Sequence, residues 1–255
     1  MFTGYFDDSG HITNKKVLLV CGFVATVEQW ALFEKEWAAV LRLPQFDLDY
    51  LHMKEFTHYA GKFAKFENNL LLQRALFSTL YELLEMRTQA TFGCTVLLED
   101  YARVNAEYEL RERCGHPFAV AGCVAITKAI GWMEKHRPAE RINFVFDRGT
   151  DGWGDLRDVA GRIWTDEVIP IEGTFKKQLA LQAADHVAWE QHRFFTKAVD
   201  TKFATKSVKT RGSLDSIMGR FQQEDTWFVA NEDELRKLCH SRLQPGPVPR
   251  RRLPP

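Results

Sequence analysis

No stretch of the 255 residues is apolar for the roughly 18 positions a membrane-spanning helix needs. The opening MFTGYFDDSG has no basic segment leading into an apolar one, so neither membrane insertion nor secretion is expected. Surplus charge is also missing. The 34 Lys and Arg balance 34 Asp and Glu, which removes the whole-molecule basic footprint of an obligate duplex binder and makes any polyanion site local. Cysteine is sparse: five residues, an odd number with no CxxC spacing, mostly inside apolar runs, which points to reduced buried thiols rather than a disulfide frame or zinc site. P-loop, GxGxxG, HExxH and GxSxG patterns are all lacking, which leaves Walker-type nucleotide hydrolysis, nicotinamide chemistry, zinc proteolysis and serine esterase action without support. What is there, 45% hydrophobic and 27% charged residues, suits a cytoplasmic protein with an adequate core in one large or two small domains.

FTGYF and KKVLLVCGFVAT are β-branched and aromatic runs joined by the polar DDSGHITN, which predicts a hairpin. Trp30, Phe33, Trp37, Val40 and Leu41 recur at helical spacing up to Pro44, and Leu72, Leu76, Leu80 and Leu83 do so again before the strand-like QATFGCTVLL. HPFAVAGCVAITKAIGWMEKH carries Phe118, Gly122, Ala125, Ala129 and Trp132 along one side of a helix, and the short strand RINFVFD follows. A helix from about Leu156 to Trp164, a strand VIPI and a helix in KKQLALQAADHVAWEQHRFF come next. Strands alternating with long helices predict an α/β sheet domain. We place it at 1–195, followed by a basic, helical extension packing on it at 196–243 and a disordered Pro/Arg-rich tail at 244–255.

Three acids stand in unusual places. Asp7 in YFDDSG and Asp147 in FVFDRG each end a strand just before a turn, where open α/β sheets bind ligands, although Asp before Gly is also ordinary turn chemistry. Alternation sets Asp7 on the face of Thr3 and Tyr5 and turns Asp8 the other way, as a turn cap. Asp185 falls inside the apolar stripe Leu181, Ala184, Ala188 and Trp189, with Gln182 one turn earlier on the same side. A carboxylate there must be hydrogen-bonded, paired with a cation such as Arg148, or bound to metal. If the three converge, repulsion of about 4 kcal/mol between charges about 4 Å apart forces them to take up protons or hold cations. Carboxylate oxygens suit Mg2+ or Mn2+, and two such ions are the ground plan for phosphodiester hydrolysis.

YFDDSG, HMKEF, FVFDRG and LQAADHVAWE resemble, in order and spacing, the domain of unknown function 3800 family, grouped with ribonuclease H-like folds, over about residues 1–195. The resemblance implies a mixed β-sheet flanked by α-helices and an acidic site for two Mg2+ or Mn2+ ions. It matches Asp7, Asp147 and Asp185 to the ligand positions, with Asp8 replacing a Glu. Gln182 matches the family's L-Q-x-A-D helix, and His52 and Glu55 match a His and an acid after the first helix. Glu55 is then a further catalytic candidate, and His52 and Gln182 candidates for substrate contact. GTFKKQ departs from the family's Ser-Lys pair, so neither Lys176 nor Lys177 receives a role.

In HRFFTKAVDTKFATKSVKTRG, basic residues alternate with Phe194, Phe195 and Phe203; Lys202, Lys206, Lys209 and Arg211 are candidate nucleic-acid contacts, though a solvated basic face gives the same pattern. The expectation is a metal-dependent nuclease. Its rivals are a non-catalytic nucleic-acid- or partner-binding module, a small phosphate-ester hydrolase, and an aspartic protease reading of Asp8-Ser9-Gly10 that the intervening helices disfavour.

Overall fold

The computed structural model describes residues 1–14, 16–148, 151–164, 168–201 and 226–240. Its centre is a six-stranded mixed sheet in the order β5-β4-β1-β2-β3-β6. The strands are β1 (Phe2–Ser9), β2 (Val17–Thr26), β3 (Ala90–Leu97), β4 (Ile142–Asp147), β5 (Ile171–Gly173) and β6 (Trp227–Ala230). β1 and β2 pair antiparallel, as the hairpin reading expected, and β3 pairs antiparallel with β2. β4 lies parallel to β1, β5 parallel to β4, and β6 parallel to β3. β2 is buried from Val17 to Ala25, as befits the strand between β1 and β3 with helices on both faces. Gly22 is required there, since a Cβ would lie 1.9 Å from the Tyr5 carbonyl oxygen.

The helices are α1 (Val27–Leu41), α2 (Met53–Thr57), α3 (Leu70–Arg87), α4 (Leu98–Tyr108), α5 (Leu110–Cys114), α6 (Pro117–His136), α7 (Trp153–Trp164), α8 (Leu179–Asp200) and α9 (Glu232–His240). Local chemistry starts several of them: Thr26 caps α1 by accepting from Gln29 N–H, Asn69 caps α3 by accepting from Leu72 N–H, and Pro117 opens α6. Alternation divides the interior in two. Phe2, Phe6, Val20, Phe144 and Phe146 pack on one side against the small-residue face of α6. Cys21, Phe23 and Tyr5 pack on the other with α1, α3 and α8. No described helix is long and apolar enough to cross a membrane, and the five cysteines form no disulfide.

Several boundaries shift. The expected strand VIPI becomes β5 at Ile171–Gly173, because Pro170 has no N–H to give the ladder. Residue 195, expected to end the main unit, lies inside α8, and beyond it β6 extends the same sheet while α9 packs on α4. The tail 244–255 and the candidate contacts Lys202, Lys206, Lys209 and Arg211 lie outside the described residues.

Candidate active site

Parallel pairing of β1 and β4 runs from Phe2↔Ile142 to Phe6↔Phe146, so Asp7 and Asp147 follow as neighbours at the same strand ends. In-register parallel neighbours point to one face. That face is the one bearing Tyr5 and Cys21, over which α8 lies, and α8 brings Asp185 to it. All three carboxylates are partly buried.

Electrostatics ties them together. Burial first, then Asp185, Asp8 and Asp147, raise the Asp7 carboxyl well above its usual range. Burial pushes Asp185 up to about 6, with Asp147 and Asp8 adding to the shift, while Met53 N–H and His52 oppose it. Asp147 is raised by burial and held back by the Arg148 and Phe175 main-chain N–H groups. Cys21, opposite Asp7 in the β1–β2 ladder, shows the same field: burial and these acids drive its thiol far up. Among the described residues no Lys or Arg forms an ion pair with Asp7, Asp147 or Asp185, so the Arg148 pairing weighed from sequence is not made.

Each acid accepts from the main chain. Asp8 N–H donates to Asp7 Oδ1 at 2.8 Å, Phe175 N–H to Asp147 Oδ1 at 3.1 Å, and Met53 N–H to Asp185 Oδ2 at 2.7 Å. In these positions no group of three or more His, Cys, Asp or Glu side chains among the described residues stands at metal-ligand spacing. The trio is a cluster of like charge rather than a formed cage. Its donor set, carboxylate oxygens with no ion-paired Lys or Arg among the described residues, is the chemistry that hard divalent ions neutralise.

Gln182 is a correction. It is fully buried: its Oε1 accepts from Trp37 Nε1–H and Leu51 N–H, both at 2.9 Å, and its Nε2 donates to the Phe175 carbonyl at 2.9 Å. It cannot touch substrate. Gln182 and Asp185, one turn apart on α8, instead hold the alternate amides of Leu51 and Met53. His186 secures the same segment, its Nδ1 lying 3.1 Å from Met53 Sδ and its Nε2 2.6 Å from Tyr81 Oη.

Glu55 sits in α2, with His52 just before it. Tyr50 donates its hydroxyl hydrogen to Glu55 Oε2 at 2.6 Å, and His52 Nδ1 lies 3.1 Å from Glu55 Oε1, so both carboxylate oxygens are engaged. These contacts, with Lys176 nearby, hold Glu55 below its usual pKa, the opposite of the trio. His52 stacks on Phe175 with centroids 4.7 Å apart, and its nearness lowers the carboxyl pKa of both Asp147 and Asp185. Tyr50 and Phe175 carry no sequence signal, because neither stands at a fixed spacing from the acids or breaks an apolar pattern.

No family model matches the chain, and no curated protein matches it. Among solved structures, Bst-RNase HIII in complex with Mn2+ is similar over 95% of this chain and 68% of its own, at 11% identity and a TM-score of 0.37.

Proposed function

We propose that this chain is a metal-dependent nuclease of ribonuclease H-like design, belonging with the domain of unknown function 3800 family. The observation that carries the proposal is the meeting of Asp7, Asp147 and Asp185, from two adjacent strand ends and one helix, in a field that raises all three carboxyls with no ion-paired Lys or Arg among the described residues. Such an arrangement costs the fold stability unless cations are held there.

Asp7, Asp147 and Asp185 would hold Mg2+ or Mn2+, and two such ions supply an activated water and a stabilised leaving oxygen. The chain's own contribution is placement. Main-chain N–H groups aim the carboxylates, and α8 fixes the 51–53 segment against them. His52 and Glu55 form a hydrogen-bonded pair at the 51–53 segment, and substrate contact by them would complete the reading.

The test is cleavage of labelled single-stranded and duplex DNA and RNA with Mn2+, Mg2+ or EDTA, comparing wild type with Asp185→Asn. Cutting that needs metal and vanishes in the variant establishes the activity. Absence of cutting on every substrate, or equal cutting by both proteins, refutes it and favours a binding module or a small phosphate-ester hydrolase.

A further inference from the structure

Beside the acids lies a second feature, built from two short segments. Tyr50 and His52 flank the buried Leu51, and Phe175 and Lys176 come from the turn before α8. The His52 and Phe175 rings are nearly parallel, 17° apart with centroids at 4.7 Å, and Tyr50 leans on Phe175 at 5.8 Å. Lys176 Nζ stands 5.4 Å from the Tyr50 ring centre and 5.8 Å from that of Phe175. The three rings are partly exposed, and Lys176 and Lys177 are exposed.

A cluster of aromatic rings at the surface is often only the rim of a core. Two observations say otherwise here. Gln182, fully buried, grips both segments by their main chains, accepting from Leu51 N–H and donating to the Phe175 carbonyl. The rings on either side of those atoms are therefore fixed relative to each other from beneath. The same segments also touch the acids directly: Phe175 N–H donates to Asp147 and Met53 N–H to Asp185. The platform is thus built onto the edge of the acidic site, with its cations on the solvent side.

We infer that Tyr50, His52, Phe175 and Lys176 form a positioning platform for single-stranded nucleic acid, a base stacking on the rings while Lys176 and Lys177 take the neighbouring phosphate. The inference rests on the nuclease reading of the acidic site and adds its substrate class. Rings read every base through its π-face and need it unstacked from its partner, which a single strand offers and an intact duplex does not. Lysine supplies the sequence-independent charge for the backbone. The acids themselves repel phosphate, so a cationic rim beside them is what lets a polyanion approach.

The experiment measures binding apart from cutting. Wild-type protein in Ca2+ is titrated into fluorescein-labelled single-stranded DNA and RNA and matched duplexes, and into single strands carrying 2-aminopurine at successive positions. Expected are tighter binding of single strands than of duplexes, and quenching of 2-aminopurine at one or two positions. Phe175→Ala should weaken binding about tenfold, the scale of one lost stacking contact, and abolish the quench. Phe175→Trp should restore both. Lys176→Gln should weaken binding and flatten its salt dependence without altering the quench. Duplex preference, or equal binding by wild type, Phe175→Ala and Lys176→Gln, overturns the platform. Binding and quench without cleavage would leave the platform standing and sink the nuclease reading. Metal-dependent cleavage with unchanged KM in Phe175→Ala and Lys176→Gln would do the reverse.

Discussion

Near pH 8 and without added metal, Asp185→Asn should melt higher than wild type. An aspartate moved from 3.8 to about 6 corresponds to about 3 kcal/mol against the folded state once ionised, at 1.36 kcal/mol per unit. The carboxylate is partly exposed and shares its repulsion with Asp7 and Asp147, so about 1 to 2 kcal/mol is the expected gain, or about 2–8 °C in Tm for a chain of this size. Asn keeps an oxygen that can accept from Met53 N–H, so the α8 contact survives. Because the folded pKa stands above the unfolded one, the penalty is absent below about pH 4, grows between about pH 4 and 6, and is complete above that. Differential scanning of both proteins in EDTA should therefore show their Tm difference shrinking as pH falls through that window. Adding Mn2+ should reverse the order, since ion at a hundredfold over its Kd stabilises the binding-competent protein by about 2.7 kcal/mol. A variant that melts below wild type near pH 8 in EDTA would refute the reasoning and make Asp185 a structural group.

Asp7→Asn should abolish metal-dependent cleavage while Asp8→Asn stays within about tenfold of wild type, as alternation along β1 requires; equal loss in both would place both acids in the site. Gln182→Met keeps the volume but strands the Trp37 indole N–H and the Leu51 amide, and urea denaturation should show a loss of about 2–4 kcal/mol; near-wild-type stability would contradict the clamp. Gly22→Ala should cost about 3 kcal/mol or more by overpacking against the Tyr5 carbonyl, and a soluble variant of unchanged stability would refute the close approach. With Ellman's reagent near pH 8, the native protein should react at Cys239 at most. Cys21, Cys94, Cys114 and Cys123 are buried, and burial pushes Cys114 up to about 11 and Cys123 to about 12.

Long apolar periods made α1, α3, α6 and α8 legible, and β-branched runs did the same for β1 to β4, because each buries a wide face. A helical extension is expected at 196–243, but the bounds of α9 have no apolar period to mark them: Leu235 is its buried residue, and the rest of Glu232–His240 is largely charged. α4 buries Leu98, Tyr101 and Val104, with Tyr108 packing at the rim of the core. In the site, the carboxylates could be singled out because a charge at a strand end or in an apolar stripe breaks a pattern. Gln182 stands out by its place on the helix, but that place does not reveal its role. An amide's function is decided by its partners, here Trp37 and Leu51 more than 130 residues away. Tyr50 and Phe175 broke no pattern at all.

The same alternation that buries the phenylalanines places the acids. Phe2 and Phe6 on β1 and Phe144 and Phe146 on β4 share one face, and Phe6 stacks on Phe146 with centroids 5.3 Å apart. A one-residue slip of β1 against its neighbours would turn Phe6 toward α8 and Asp7 into the aromatic core, at the cost of an uncompensated buried carboxylate. The register is therefore fixed by apolar burial, which costs the acids nothing to exploit: Asp7 and Asp147 need only be the next residues after a pair of packed rings. Glycine completes the arrangement, since Gly10 at φ +105° ends β1 within a few residues of Asp7. Repulsion among the carboxylates is then carried by a sheet whose registration does not depend on them, which is why their removal should raise stability while destroying activity.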